Sequence, residues 1–362
     1  MYHIDDEMVE EIKEGAERVA RSGSFVLGRE TKEFEDMCDR ELFNSSEHKT
    51  LLVSNGTCAI ELALRALSPF AKGKLVLMPA MTVPMVKWAI EKAGFVTVPM
   101  DIDPLSQCMD VEKVMDFIDG GILHENVFAV VMVYTGGLIP ARMKELVVFL
   151  KERGIRLVED ISHAYASESF LDGAGFFAGE NGDAVCGSMF ATKVLSVGEG
   201  GIVRFNDDSA YRYGKLIRNQ GRADNGVQCL DDCYNYRASE YTASVAKVKL
   251  KYLDREIGYR RTIVEDVYLP YFAKHVGYRL PQDTLNVSHS YYKFIVQFAG
   301  ADEYEAKIAA LGAPVAGAVH RTTLFPNRFM QAEEVAKNHL CPPLNTLDNA
   351  RKFITIFEQV CA

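Results

Sequence analysis

The sequence predicts an α/β chain, a mainly parallel central sheet covered by helices on both faces, followed by a smaller α+β portion. Two features lead there. Short strands of continuous rather than alternating apolar character recur along the first two thirds of the chain, as expected where both faces of a sheet are buried. Between them lie stretches with apolar residues at helical spacing, and such strand–helix alternation builds parallel crossover units. The 362 residues are 48% apolar and 25% charged, an ordinary globular balance, and the length suits one large domain plus a smaller one.

In chain order, "MYHIDDEMVEEIKEGAERVA" is a charged amphipathic helix without the apolar core of a signal peptide. The strand "TLLVSN" runs into the helix "GTCAIELALRAL", and "KLVLMPA" into "VPMVKWAIEKAG". Then come the strand "VTVPMD", the helix "VEKVMDFID", the strand "NVFAVVMVY" and the helix "ARMKELVVFLKERG", which ends on a glycine. "IRLVED", "DAVCGSMFA" and "GGIVRFN" complete the strands. Near Ser239 the pattern changes: "SEYTASVAKVKLKYLDREIGYRRTIVEDVYLPYF" reads as one long helix, ahead of a strand-like "HSYYKFIVQF" and the helices "DEYEAKIAALG" and "LDNARKFITIFEQV". The expected division is a large domain at 1–238 and a small one at 239–362.

Several function classes are excluded early. The formal charge of −10 repels nucleic acid and anionic membranes. The longest apolar runs are too short to span a bilayer, so a cytoplasmic protein is expected. The eight cysteines are scattered; Cys229 and Cys233 lack the second pair and nearby histidines of a zinc site, and reduced thiols are expected. No GxGxxG follows the first strand, which removes a nucleotide-binding dehydrogenase.

Four strand-end features could carry chemistry. In "VSNGTCAIELAL", a strand runs through Ser54 and Asn55 into a helix starting near Gly56 and Thr57, where free backbone N–H groups and the helix dipole favour an anion. By itself this could equally be a capped turn. In "LVEDISHA", Asp160 ends an apolar strand and His163 follows; a helix cap would explain the aspartate as well as a ligand would. "CGSMFATKVL" places Lys193, with Ser188 before it, at the end of a run suited to a core, with Gly198, Gly200 and Gly201 behind. A lysine that must be buried has a depressed pKa and becomes a nucleophile towards carbonyls. In "YNYRASE", Asn235 and Arg237 sit in a polar pause that a helix entry would also explain. Together, a phosphate seat, a carboxylate for a protonated pyridine and a nucleophilic lysine meet the needs of pyridoxal 5′-phosphate.

The same motifs resemble the DegT/DnrJ/EryC1/StrS family, the sugar aminotransferases of the fold-type-I pyridoxal-phosphate-dependent transferases. "GSFVLGRETKEFED", "SNGTCAIELAL", "TVPMVKWAIEKAGFVTVPMDID", "RLVEDISHA", "GDAVCGSMFATKVLSVGEGGIVRFND", "RNQG" and "NYRASE" follow the family's order over nearly the whole chain. The resemblance implies that Lys193 is the Schiff-base lysine, Asp160 the partner of the pyridine nitrogen and Ser188 a phosphate ligand. Gly56 and Thr57 match the phosphate-binding turn, and His163 falls near the cofactor's ring hydroxyl. Asn235 matches an asparagine that reaches the phosphate of a neighbouring subunit, which implies a homodimer with shared sites. The implied reaction moves an amino group from an amino acid, glutamate being expected, to a keto-sugar, a nucleotide-linked one being expected. Two departures stand out: Val83 occupies a position where many members carry an aromatic residue against the pyridine, and "GAPVAGAVHRTTLFPNRF" matches poorly a segment that helps hold substrate. The alternatives are a sugar dehydratase, whose members carry histidine in place of Lys193, and a non-catalytic regulator that keeps the cofactor.

Overall fold

The computed structural model describes residues 4–361 except 71–72, 122–123, 172–174 and 276. Of the expected N-terminal helix, residues 1–3 lie outside the described residues; the rest forms α1 (Asp6–Ser22), capped by the Asp5 carboxylate accepting from the Met8 N–H at 2.9 Å. After α2 (Arg29–Met37) come β1 (Thr50–Val53), α3 (Gly56–Leu67), β2 (Leu75–Pro79), α4 (Pro84–Lys92), β3 (Val96–Met100), α5 (Val111–Gly120), β4 (Val127–Val133), α6 (Met143–Arg153) and β5 (Arg156–Asp160). A short hairpin, β6 (Glu168–Ser169) and β7 (Phe176–Phe177), precedes β8 (Ala184–Ser188), β9 (Gly201–Phe205) and α7 (Asp208–Arg218). Gly154 ends α6 at φ 65°, where glycine adopts the left-handed turn without a Cβ clash.

Seven strands form one sheet in the order β1-β9-β8-β5-β4-β2-β3, and β9 alone runs against the rest. Side chains alternate between two cores. Leu52, Leu77, Met132, Leu157, Val185 and Ile202 face α2, α5 and α6, while Leu51, Val76, Val131, Val158, Cys186 and Val203 face α3, α4 and α7. That arrangement is why the strands read as continuous apolar runs: each neighbouring pair of side chains is buried on opposite faces.

The consequence for function lies at one edge. The carboxyl ends of β1, β5 and β8 come together there, and the reversed β9 brings its start, Gly201, to the same edge. Parallel sheets place ligands at such an edge. β5 ends in two carboxylates. Glu159 is fully buried and accepts hydrogen bonds from the Tyr134 hydroxyl at 2.5 Å and from the backbone N–H groups of Gly179, Asn181 and Gly182. It ties β4, β5 and the approach to β8 into one rigid unit, leaving the next residue, Asp160, to face the edge.

The segment expected as one long helix is divided. α8 (Glu240–Lys251) stops at Tyr252, whose φ of −104° and ψ of 13° leave the helical range, and α9 (Leu253–Ile263) continues through a π-helical turn at Val264–Tyr268 into α10 (Leu269–Phe272). Its first half belongs to the large core: Ala243, Ala246 and Leu250 pack there, and α8 lies against α1 and α2. The buried Glu240 carboxylate accepts from the Gly28, Glu30 and Thr31 N–H groups at 2.9, 2.7 and 3.1 Å, capping α2 from more than two hundred residues away. From Ile263 a separate core of Tyr268, Phe272, Phe294, Phe353 and Phe357 takes over. It is completed by β11 (Val296–Gln297), α12 (Ala301–Ala310), β12 (His339–Leu340) and α14 (Leu347–Cys361), while α11 (Pro281–Thr284) leads into β10 (Val287–Ser288), which pairs with β6, and α13 (Met330–Lys337) packs against Ala80, Met81 and Ile102. The expected strand "HSYYKFIVQF" shortens to β11, because only Val296 and Gln297 find a partner, in β12. Among the described residues no helix is long and apolar enough to cross a membrane.

Replacing Glu159 by alanine would strand four buried donors. Unfolding in denaturant should show Glu159→Ala less stable by about 3 kcal/mol or more; a change below about 1 kcal/mol would mean that water replaces the carboxylate.

Candidate active site

Gly56, Thr57, Asp160, His163, Ser188, Lys193 and Asn235 line a single cavity of about 820 Å³ at the carboxyl edge of the sheet. Each arrives by a different route: Gly56 and Thr57 open α3, Asp160 ends β5, Ser188 ends β8, and Asn235 precedes α8. The backbone there is unusually close. A Cβ on Gly56 would stand 2.6 Å from the Ser188 Cβ, and one on Gly201 would stand 2.5 Å from the Asn55 carbonyl. Asn55 caps α3 by accepting from the Cys58 N–H at 2.9 Å, so the first turn of the helix opens on the cavity with its positive dipole end.

Asp160 is 5% exposed, and burial pushes its carboxyl up, opposed by hydrogen bonds from Ser162 and by the charge of Lys193. The Ser162 N–H donates to Asp160 Oδ1 at 2.9 Å, while the Ser162 hydroxyl oxygen accepts from the Ser188 N–H at 2.9 Å. Ser162 thus joins two of the expected site residues, and no sequence signal marked it. A carboxyl in such surroundings carries charge comfortably only beside a cation.

His163 is buried, and desolvation holds it well below the ordinary histidine range, so it is neutral near pH 7. Its Nδ1 accepts from the Gly136 N–H at 3.2 Å. The proton of the neutral ring therefore sits on Nε2. The ring stacks on Tyr292, centroids 4.1 Å apart and planes 14° apart.

After β8 the chain doubles back: Met189 N–H donates to the Gly200 carbonyl at 2.8 Å and Ala191 N–H to the Gly198 carbonyl at 3.0 Å. Gly198 takes φ 96° at this reversal, a conformation side chains rarely adopt. Lys193 lies inside this reversal, its Nζ 4.9 Å from the Tyr292 ring centroid. Its pKa is lowered to about 8, first by burial and also by Lys293, while Asp160 pulls it the other way. The ammonium has no carboxylate within ion-pair distance among the described residues, and a large share of it is the free amine at mildly alkaline pH.

Sequence reasoning missed Ser162, Tyr292 and His320, all of which line the cavity. Tyr292 sat in a segment read only as a strand, and His320 lies in the segment whose match to relatives was poor. Two buried polar atoms there, Thr82 Oγ1 and His320 Nε2, have no hydrogen-bond partner among the described residues, which leaves them available to a ligand. Val83 is exposed at the cavity rim; the aromatic stack within the cavity is the His163–Tyr292 pair. Asn235 lies at the lip of its own chain's cavity, its Oδ1 accepting from the Arg237 N–H at 3.1 Å.

The family model for the DegT/DnrJ/EryC1/StrS aminotransferase family matches residues 6–352. The chain is 28% identical to a dTDP-3-amino-3,4,6-trideoxy-alpha-D-glucose transaminase of Micromonospora megalomicea subsp. nigra, over 81% of this chain and 75% of the relative. It is 26% identical to a UDP-N-acetyl-3-dehydro-alpha-D-glucosamine 3-aminotransferase of Acidithiobacillus ferrooxidans, over 92% and 89%. Among solved structures it resembles the aminotransferase TlmJ of Streptoalloteichus hindustanus, with a TM-score of 0.84, 25% identity and coverage of 99% and 96%.

Lys193 should react with a small carbonyl reagent at a rate that rises with pH and is half-maximal near pH 8, read by mass spectrometry of the modified peptide. Asp160→Asn removes the charge that favours the ammonium and should move that midpoint to lower pH; a midpoint above pH 10 in the unsubstituted protein would contradict the buried setting.

Proposed function

The chain belongs to the DegT/DnrJ/EryC1/StrS aminotransferase family, and on that premise we propose that it moves an amino group from an amino acid to a keto-sugar with pyridoxal 5′-phosphate held in the cavity around Lys193. What carries this reading is one juxtaposition: a buried lysine and a buried aspartate face the same space that receives the start of α3. The cavity fits the cofactor on its own terms. The close approach at Gly56 and Gly201 leaves a cradle of backbone into which a phosphate can settle, with Thr57 and Ser188 beside it. When bound, pyridoxal 5′-phosphate supplies an aldehyde to which an amine can add and a pyridinium that withdraws electrons from the substrate carbon.

The remaining work falls to the chain's own groups. Asp160 supplies the anion for the pyridinium, and the pairing offsets the burial that otherwise disfavours its charge. Lys193, about 8 in pKa, offers a free amine near neutral pH and can afterwards carry a proton at its Nζ to or from the substrate carbon. His163, protonated on Nε2, donates a hydrogen bond rather than accepting one, suited to a ring oxygen that carries negative charge. Glutamate as donor and a nucleotide-linked sugar as acceptor extend this reading; sugar aminotransferases among the relatives support the acceptor class.

The reading includes a homodimer. Val83, Met85 and Phe190 line the cavity mouth yet are exposed, Tyr234 is 62% exposed, and Trp88 stands one turn beyond Met85 on α4. A second copy covering this patch would bury it and bring its own Asn235 to the site. The cytoplasm, which keeps thiols such as Cys229 reduced, suits the free cysteines.

Lys193→Ala should abolish both amino transfer to keto-sugars and the absorbance change on adding pyridoxal 5′-phosphate; retention of both would overturn the assignment. Gly56→Ala should weaken cofactor binding by at least about tenfold in a spectral titration, since the added methyl forces α3 away from Ser188. Unchanged affinity would move the phosphate elsewhere.

A further inference from the structure

The cavity at Lys193 has a smaller neighbour of about 310 Å³, which shares Thr192 and Tyr292 with it and is otherwise lined by residues including Arg260, Lys293, Ala316 and Asn345. Tyr292 stands between the two. Its ring centroid is 4.9 Å from Lys193 Nζ and 5.7 Å from Lys293 Nζ. The two nitrogens are therefore no farther apart than those distances laid end to end, a span that a small substrate can bridge.

Lys293 is anomalous where it stands. It interrupts the apolar run before Phe294, Ile295 and Val296, all fully buried. Its ammonium has three protons to place, and among the described residues the one hydrogen bond it makes is to the Ala316 carbonyl, at 2.5 Å. No carboxylate of the described residues lies within ion-pair distance. Burial lowers its pKa, Arg260 is a like charge beside it, Lys193 is a second like charge across Tyr292, and the Cys341 thiol is kept protonated by burial. Arg260 is itself served by Glu256 at 2.8 Å and by the Tyr291 carbonyl at 3.0 Å. The chain treats a structural lysine differently: Lys247, of similar burial, holds both Glu30 and Glu33. A sheltered ammonium without a counterion, beside an open cavity, lacks an anion.

We propose that Lys293 receives an oxyanion, a carboxylate or phosphate carried at the far end of a substrate whose reacting carbon lies at Lys193. The inference rests on the proposed function for where that carbon lies. The smaller cavity, lined by Lys293 and Arg260, has room for an acid group on a short arm. A neutral sugar hydroxyl could accept a hydrogen bond from Lys293 but would leave the charge unbalanced. Lys293 is thus a specificity-determining residue, reading the acid of the amino-acid donor or that of the acceptor.

Calorimetric titration of the protein saturated with pyridoxal 5′-phosphate, using glutarate and inorganic phosphate in turn, separates the two sources. One of these anions should bind once per chain; Lys293→Met should weaken it by at least about tenfold, while Lys293→Arg keeps most of the affinity. A preference for glutarate assigns the site to a dicarboxylate amino donor, and a preference for phosphate assigns it to a phosphorylated acceptor. Binding of neither anion, or equal binding with and without the lysine, would overturn the proposal. Failure to take up the cofactor, seen in the absorbance, would instead count against the proposed function, because the heat of anion binding is read without turnover.

Discussion

Between the first turn of α3 and the last residue of β8 there is no room for a side chain: a Cβ at Gly56 would fall inside contact distance of both Cβ and Cα of Ser188. The same holds between Gly201 and Asn55. These two approaches hold a helix start against two strand ends, so a positive dipole, a hydroxyl and a bare stretch of backbone face one point. Asp160 is aimed at that space because Glu159, the residue before it, is locked on the other side by four donors. Strand geometry sends successive side chains to opposite faces. Fixing one therefore aims the next.

The electrostatics of the cavity follow from its dryness. Burial pushes Asp160 up and both Lys193 and His163 down, so each group is driven towards its neutral form. Such a site is poised rather than satisfied. It holds a nucleophilic amine, a carboxyl that gains by meeting a cation, and a histidine whose tautomer is set by the Gly136 N–H. Perturbed groups gathered in a cleft mark chemistry more often than structure, and structural charges elsewhere in this chain are paired: Arg218 with Glu35, and Lys247 with two glutamates.

The C-terminal portion supplies the other wall. Tyr292 and His320 come from segments far along the chain and line the cavity beside Lys193, the Tyr292 ring stacked on His163 and His320 Nε2 without a hydrogen-bond partner among the described residues. Lys293 sits just behind this wall. The cavity is thereby lined from different parts of the sequence, strand ends and turns at the carboxyl edge of the sheet on one side and segments beside a separate aromatic core on the other.

Much of this was legible in the sequence by itself. Continuous apolar strands, Asn-Gly before a helix, an aspartate closing an apolar run and a lysine where a core residue belonged are local signals, each tied to a backbone or desolvation constraint that acts within a few residues. They sufficed for the fold class and pointed to Gly56, Thr57, Asp160 and Lys193; the family resemblance added His163, Ser188 and Asn235, and all seven line one cavity. The tertiary structure decided what depends on distant pairing. It reversed β9, divided the long helix at Tyr252, gave the first half of that helix to the large core through Glu240, and brought Ser162, Tyr292 and His320 to the site. Ser162, Tyr292 and His320 carry no local pattern that announces a role, because their partners are set by which strands and loops become neighbours, and that is decided only when the whole chain packs.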